Sequence, residues 1–348
     1  MTSEIKDARE YFRSKYKQIE DLPGIGEATA TTLKKAGFSS VEMIASATAK
    51  ELMTGGLGEE TANKVIELAR KGFAHAFITG SQLMELRRNQ EFLTTGCDSL
   101  DELMTREDQV GKPKGLPTES ITELVGENGS GKSQLSHQLC VTVQLPKSVG
   151  GLEGNALYID TEQVFTPSRV IQISKRFSDL LGDKKGTKIL DGITYAEAYT
   201  SDHQAALLAG AEDVIKENNI KLIVIDSLTG NFRAEFLGRE MLSSRQQSIS
   251  EHMHKLMRMA VVFKCVAVVT NQVQADPTPY SGFDPKPIGG HIVGHISHDR
   301  IFIRKLKDGK RIAKILKSPF LPEGEAVMHL TDEGMVGERT DAPKSDEI

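Results

Sequence analysis

The chain has 348 residues, of which 39% are hydrophobic and three are cysteines, and its formal net charge is −5. The length allows two domains. The lack of an apolar run of about 18 residues excludes a transmembrane helix. The wide cysteine spacing excludes a zinc site of the usual pattern. Because the N-terminus lacks the apolar core of a signal peptide, we expect a cytoplasmic protein without a membrane partner. The negative net charge still allows a local basic patch that binds nucleic acid.

Residues 1–74 are predicted to form short helices joined by tight turns. The stretch LPGIGEATATTLKKAGF (22–38) places glycines between apolar segments, and TGGLGEETANKVIELARKGF (54–73) repeats the pattern. Two such units predict a helix-hairpin-helix pair, in which the backbone amides of Gly24 and Gly26 face a DNA phosphate. The alternative is a small helical bundle that serves protein contacts.

Residues 75–92 form a linker, and the pattern changes in residues 93–335 to short apolar runs separated by helical stretches. The runs are ITELVG (121–126), ALYID (156–160), KLIVID (221–226) and CVAVVT (265–270). Strands that are apolar on both faces predict a mostly parallel sheet covered by helices, so the fold class is α/β with a small all-α N-terminal domain. The alternating runs around KDGK predict a hairpin, and residues 336–348 are expected to be a disordered tail.

The segment GENGSGKS (126–133) matches the phosphate-binding pattern G-x-x-x-x-G-K-[ST] in full, between a predicted strand and a predicted helix. Lys132 is expected to contact the β- and γ-phosphates of a nucleotide, and the Ser133 hydroxyl to bind Mg²⁺. Asp226, at the end of LIVID, is expected to hold the Mg²⁺ shell through water. The expected nucleotide-binding set is Gly126, Glu127, Asn128, Gly129, Ser130, Gly131, Lys132, Ser133 and Gln134.

Hydrolysis of a nucleotide needs a group that activates or orients water. The stretch YIDTEQ places Glu162 just beyond a strand end, where a carboxylate can accept a proton from water that attacks the γ-phosphate. On spacing alone Asp160 is the rival for this role.

Taken together, these motifs resemble those of the RecA/RadA strand-exchange recombinases, and the archaeal RadA proteins most closely. The matching segments are GSGKSQLSHQLCVTVQLP, LYIDTE, SDHQ, NFRAEFLGRE with SSRQQ, TNQV, GGHIVGH and LPEGEAV. The resemblance implies a RecA-like P-loop ATPase core that uses ATP and Mg²⁺ and is stimulated by DNA. It also implies filaments or rings of the chain on single- and double-stranded DNA, a role in recombination and repair at the nucleoid, and recombination mediators as further partners.

The resemblance implies roles for residues outside the phosphate loop. Glu162 matches the catalytic glutamate, and Gln272 matches a residue that senses the γ-phosphate and relays it to a DNA-binding loop. His295 matches a residue with a similar role across the subunit interface. Arg169 matches a residue that packs near the adenine, and Pro322 matches a cap on the neighbour's nucleotide. Without the resemblance, Gln272 and His295 would be read as an ordinary strand end and a loop residue.

Two DNA-binding loops are implied, at residues 231–247 and 273–288. The first contains Arg233, Arg239 and Arg245, and arginines can clamp phosphates with forked N–H donors. The alternative for this segment is a solvated charged face, because glutamates interleave with the arginines.

Self-assembly is implied by the segment FITG (77–80). In the family a phenylalanine at the position of Phe77 joins subunits, and Gly80 stands where alanine is usual. The alternative is that Phe77 packs on its own N-terminal domain.

The chain departs from the family at a few positions beside the nucleotide. Gln163 and Thr166 replace the usual glycine and arginine, and Lys317 stands where relatives carry an acidic residue that holds a cation. We hypothesise that the Lys317 ammonium takes the place of that cation and contacts the neighbour's γ-phosphate, and the alternative is a lysine that points to solvent.

Three functions compete: a strand-exchange recombinase, a recombinase paralogue that assists filament loading, and a non-catalytic scaffold that binds DNA and ADP. The helix-hairpin-helix domain speaks against the paralogue. The complete set of Lys132, Ser133, Glu162 and Asp226 speaks against the scaffold.

Overall fold

The computed structural model describes residues 16–73, 79–106, 111, 113–236, 238, 240–274 and 286–338. In the N-terminal region a 3-10 turn (Ile19–Asp21) precedes four helices, α1 (Glu27–Lys35), α2 (Val41–Ser46), α3 (Ala49–Thr54) and α4 (Glu59–Phe73). Gly24 and Gly56 both have left-handed backbone angles, with φ of 97° and 95°, which only glycine adopts without strain. The two turns therefore share one geometry, as the internal repeat of the sequence predicts.

The N-terminal helices pack on the rest of the chain. Their apolar side chains are continuous with the larger core. At the edge of this contact, Arg258 donates to Glu51 Oε1 at 2.5 Å, and the Ser39 amide donates to Glu212 Oε2 at 3.1 Å. Glu51 also completes a capping box with Thr48 at the start of α3, so the ion pair joins a fixed helix end to the core.

The remaining strands form a ten-stranded sheet and a separate two-stranded pair within the described residues. The pair is β1 (Phe92–Leu93) with β2 (Leu116–Pro117). The sheet consists of β3 (Ser120–Gly126), β4 (Asn155–Asp160), β5 (Ile193–Glu197), β6 (Ile220–Asp226), β7 (Val266–Gln274), β8 (Lys286–Pro287), β9 (Asp299–Lys305), β10 (Lys310–Lys317), β11 (Glu325–Thr331) and β12 (Gly334–Gly337). Their order is β12-β11-β10-β9-β3-β7-β6-β4-β5, and β8 pairs with β7.

Helices cover both faces of this sheet. They are α5 (Gly80–Arg87), α6 (Asp98–Leu103), α7 (Lys132–Thr142), α8 (Pro167–Ser174), α9 (Ser201–Ala209), α10 (Ala211–Glu217), α11 (Gly230–Glu235), α12 (Leu242–Phe263) and α13 (Gly290–Ile296). One apolar cluster lies between the sheet and α7, and another lies between the sheet and α12. Among the described helices, none is both long and apolar enough to cross a membrane.

The strands from β9 through β3, β7, β6 and β4 to β5 pair in parallel, and β9 to β12 form an antiparallel meander. The predicted hairpin at KDGK is the β9–β10 connection. These observations confirm the predicted fold class. Because parallel strands share their direction, the carboxyl ends of β3, β4, β6 and β7 meet at one edge, which places the site.

The segment 231–247, expected as a loop, is largely helical. Its first residues lie in α11 and its last in α12, so Arg233 and Arg245 lie on helices and only a short connection separates them. The alternating charges of NFRAEFLGRE are compatible with helix, and the buried Asn231 and Phe232 fix α11 against the core. The second expected loop, 273–288, lies mostly outside the described residues.

Asp101, in α6, shows how burial affects a carboxyl group in this fold. The side chain accepts hydrogen bonds from the Thr95 amide at 2.7 Å and the Thr95 hydroxyl at 2.6 Å, and from the Thr94 hydroxyl. Burial nevertheless raises the pKa of Asp101 to about 6. A carboxyl with a raised folded-state pKa contributes stability below its unfolded pKa and loses it as the pH rises through about 6.

We therefore expect Asp101→Asn to flatten the pH dependence of the unfolding free energy between about pH 4 and pH 7, by up to about 3 kcal/mol. The measurement is chemical denaturation across this pH range. Asp202→Asn, at an exposed position on α9, is the control and should keep the parent slope. An unchanged slope for Asp101→Asn would contradict the assignment.

Candidate nucleotide-binding site

The phosphate loop joins β3 to α7. A Cβ atom added at Gly126 would lie 2.3 Å from the Ile303 carbonyl oxygen, so this position requires glycine. Gly129 and Gly131 have φ values of 73° and 114°, which also favour glycine. These angles wrap the backbone toward the N-terminus of α7, where free amides and the helix dipole favour an anion.

Lys132 folds back over this loop. Its Nζ donates to the carbonyl oxygens of Gly126 and Glu127, both at 2.9 Å. Burial lowers the pKa of Lys132, and the carboxylates of Asp226 and Glu162 oppose that shift. The ammonium is therefore held inside the loop beside two carboxylates, where it can neutralise phosphate charge.

Asp226 ends β6 and is almost fully buried. Its Oδ2 accepts a hydrogen bond from the Tyr158 hydroxyl at 2.6 Å, and its Oδ1 accepts one from the Thr270 hydroxyl. Burial and the nearby Asp226 carboxylate raise the pKa of Tyr158 well above its ordinary value, so the phenol stays a donor. His137 stacks on Tyr158 with ring centroids 5.8 Å apart. The two hydroxyls fix the orientation of the carboxylate.

Ser133 and Asp226 offer a hydroxyl and a carboxylate, the oxygen donors that Mg²⁺ prefers. No cluster of three or more histidine, cysteine, aspartate or glutamate side chains suited to a metal occurs in the part of the chain that the structure describes. This donor set fits an ion that takes most of its ligands from nucleotide phosphates and water, as Mg²⁺ does.

Glu162 is exposed beyond β4 and faces two donors. Ser227 Oγ donates to Glu162 Oε1 at 2.6 Å, and Gln272 Nε2 donates to the same oxygen at 3.3 Å. Ser227 was not expected from the sequence, although its place after LIVID is the one signal that could have suggested it. The two hydrogen bonds involve Oε1, which leaves Oε2 as the second acceptor of the carboxylate.

Asp160, the rival carboxylate, has a different environment. It is fully buried. Its Oδ1 accepts from the Glu162 amide at 3.0 Å, and its Oδ2 accepts from the Phe165 amide at 2.9 Å. Asp160 thus holds together the turn that presents Glu162, and this geometry favours Glu162 as the group that meets water.

A cavity of about 550 Å³ opens beside Glu162. Its lining includes Ser227, Asn231, Arg233 and Gln272. It therefore joins the strand ends that carry Glu162 and Gln272 to α11, which carries Arg233.

Arg169 and Gln134 meet on the other side of the loop. Arg169 Nε donates to Gln134 Oε1 at 2.7 Å, and its terminal nitrogens donate to the carbonyl oxygens of Thr331 and Asp332 at 2.6 and 2.8 Å. Burial lowers the pKa of Arg169. The guanidinium thus joins α8, α7 and the β11–β12 turn beside the phosphate loop.

Lys317 ends β10 and reaches α13. Its Nζ donates to the carbonyl oxygens of Gly294 at 2.6 Å, His295 at 3.2 Å and Ser297 at 3.0 Å. Within its own chain the ammonium is thus held by α13, and the expected contact with a neighbour's γ-phosphate stays a prediction. Three converging carbonyl oxygens are also ligands for a monovalent cation, so the ammonium occupies a cation-like position at the C-terminal end of the helix.

Other predicted residues lie apart from this centre or outside the described residues. His295 and Pro322 are exposed, on α13 and beyond β10. Gly24 and Gly26 are exposed on the N-terminal hairpin, and Gly80 opens α5. Phe77 and Arg239 lie outside the described residues, so the alternatives for Phe77 stay open.

Two family models match the chain. The model described as Rad51 matches residues 86–338, well over half of the chain, and this range contains the phosphate loop, the cavity and Lys317. The model described as a SAM-like helix-hairpin-helix tandem matches residues 16–71, which contain both glycine turns.

We predict that Tyr158→Phe raises the Mg²⁺ concentration needed for nucleotide binding about tenfold, because Asp226 loses one of the donors that orient it. The measurement is binding of a fluorescent nucleotide during Mg²⁺ titration. Tyr199→Phe is the matched control, because the Tyr199 hydroxyl contacts only the peripheral Glu197 among the described side chains. An unchanged Mg²⁺ midpoint for Tyr158→Phe would remove this role.

Proposed function

Because the chain belongs to the Rad51 family, we propose that it is an ATP-dependent DNA strand-exchange recombinase that forms helical filaments on single-stranded DNA. Rad51-family domains are RecA-like recombinases that bind DNA and self-assemble. Within the family we propose a protein of the archaeal RadA type, which acts in homologous recombination and repair at the nucleoid and works with recombination mediators.

One observation carries the proposal. Glu162, Gln272 and Arg233 line a single cavity, although they come from three different parts of the chain. A carboxylate for water, an amide beside it and a cation for a DNA phosphate therefore share one space. Such an arrangement supports chemistry on a nucleotide that responds to DNA, and a scaffold without turnover does not require it.

We infer the roles of the residues from this geometry and from the family resemblance. The loop amides and Lys132 bind the phosphates of ATP, and Arg169 borders the base, as the family resemblance implies. Ser133 and Asp226 are the residues that would hold Mg²⁺, and the ion would neutralise phosphate charge. Ser227 and Gln272 fix Oε1 of Glu162, so that Oε2 can accept the proton of the attacking water.

DNA and self-assembly involve further residues. Arg233 and Arg245 contact the phosphates of the bound strand, together with Arg239, and the exposed turn at Gly24 and Gly26 adds backbone amides. Phe77 joins neighbouring subunits. A Cβ atom added at Gly80 meets nothing within 4 Å, so this chain itself offers no obstacle to the alanine that is usual there.

The test is ATP hydrolysis with and without single-stranded DNA, followed by a strand-exchange assay. We expect DNA to stimulate the parent protein, and we expect Glu162→Gln to bind ATP normally while its turnover falls by about 100-fold or more, because an amide cannot accept the proton. Glu217→Gln, an exposed change at the end of α10, is the control. A Glu162→Gln protein that turns over ATP at the parent rate with DNA would refute the catalytic role.

Parent protein that shows no hydrolysis under any condition would favour the scaffold. Hydrolysis without strand exchange would favour the loading paralogue. Replacing Arg233 with glutamate should weaken DNA binding and leave DNA-free ATP binding intact, because the loop that binds the nucleotide is separate from α11.

Lys317 gives a prediction about ions. We expect the DNA-stimulated ATPase of the parent to change little between sodium and potassium buffers of equal ionic strength, because the ammonium already fills the carbonyl cluster. Lys317→Asp should introduce a potassium requirement, and Lys314→Asp on the same strand is the control. A potassium-activated parent, or an aspartate variant with the parent's ion response, would rule this out.

A further inference from the structure

Strand β7 carries two neighbouring amides that point to opposite faces of the sheet, because side chains alternate along a strand. Gln272 contacts Glu162 on the nucleotide side. Asn271 is fully buried on the other face, where α12 and α13 cover the sheet. The nucleotide mechanism above gives Asn271 no role.

Every polar atom of the Asn271 carboxamide is engaged. Its Nδ2 donates to Glu123 Oε1 at 2.8 Å and to the Ile288 carbonyl oxygen at 2.6 Å, and its Oδ1 accepts from the Thr229 hydroxyl at 2.9 Å. Ile288 precedes α13, and Thr229 precedes α11. The Asn271 side chain therefore links β3, the segment before α13 and the segment before α11 through hydrogen bonds.

A largely buried ion pair holds this amide in place. Glu123, on β3, is fully buried, and Arg300 lies opposite it on β9. Arg300 Nε donates to Glu123 Oε2 at 2.6 Å, and Arg300 Nη2 donates to Glu123 Oε1 at 3.3 Å. The guanidinium also lies against Gly294 of α13, because a Cβ atom there would be 2.6 Å from Nη1.

Burial of two charges adds little to stability, because the desolvation cost offsets most of the attraction. What such a pair does provide is geometry: the guanidinium directs one carboxylate oxygen toward Asn271 and leaves the amide one orientation. A shift of any partner leaves a buried polar group unsatisfied, which disfavours the shifted arrangement. The cluster therefore favours one discrete arrangement of the segments that it joins.

We propose that Asn271, fixed by Glu123 and Arg300, is a positioning residue that sets Gln272 against Glu162. It also holds α11 and α13 in register, so a displacement of α13 is transmitted to the carboxylate that meets water. This inference rests on the proposed function, and it adds a physical connection between the helix that carries His295 and the one that carries Arg233.

The test uses Thr229→Val, which removes one hydrogen bond to Asn271 and keeps the shape of the side chain. We expect KM for ATP to stay within about twofold, since the phosphate loop is not in the cluster, and kcat with single-stranded DNA to fall at least about fivefold. Thr229→Ser retains the hydroxyl and should restore kcat. Thr122→Val is the matched control, because the Thr122 hydroxyl is buried without a hydrogen-bond partner among the described residues.

A second variant, Glu123→Gln with Arg300→Met, removes both charges and avoids the unpaired charge that a single change would leave. It should lower DNA-stimulated kcat in the same way. A folded Thr229→Val protein with the parent's kcat would overturn the proposal.

Hydrogen exchange separates this inference from the proposed function, since it needs no turnover. The Ile288 amide donates to the Gln272 carbonyl oxygen at 2.9 Å, so its exchange reports the register of the two segments. We expect faster exchange at Ile288 in Thr229→Val, and parent exchange in Thr122→Val. Unchanged exchange at Ile288 would refute the positioning role, whereas an inactive parent with faster exchange in the variant would refute only the recombinase.

Discussion

The site depends on the parallel main-chain pairing of four adjacent strands. In the register of the sheet, Gly126 lies opposite Gln272, and Asp160 lies opposite Asp226. These two pairs place the start of the phosphate loop, the amide beside Glu162 and the Asp226 carboxylate at one edge. A slip of one residue would turn every side chain of a strand to the other face, so hydrophobic burial on both faces also fixes the chemistry.

Much of this edge could be predicted from the sequence, because it is encoded locally. The phosphate loop is contiguous, and buried parallel strands are recognised by short apolar runs that end in polar residues. The predicted hairpin was also local, since the turn and both alternating strands are adjacent in the chain. Family resemblance then indicated roles for Glu162 and Gln272, which remain predictions that the geometry supports.

The interactions that orient the site could not be predicted, because they join residues far apart in sequence. Tyr158 and Asp226 are 68 positions apart, and Glu123 and Arg300 are 177 apart. The family resemblance implied a loop at residues 231–247, yet packing of Phe232 favours helix. The expectation for Lys317 came from the acidic residue that it replaces in relatives, whereas its hydrogen bonds go to carbonyl oxygens at the end of α13.

Helix α12 also fixes the distance between two arginines that it carries. It runs from Leu242 to Phe263, bears Arg245 in its first turns and pairs with the N-terminal helices through Arg258. These two arginines are 13 residues apart, which corresponds to about 20 Å along a helix axis. The helix thus sets a constant distance between the Arg258–Glu51 contact with the N-terminal helices and its own first turns. Any single binding partner that contacts both ends of α12 must extend over that distance.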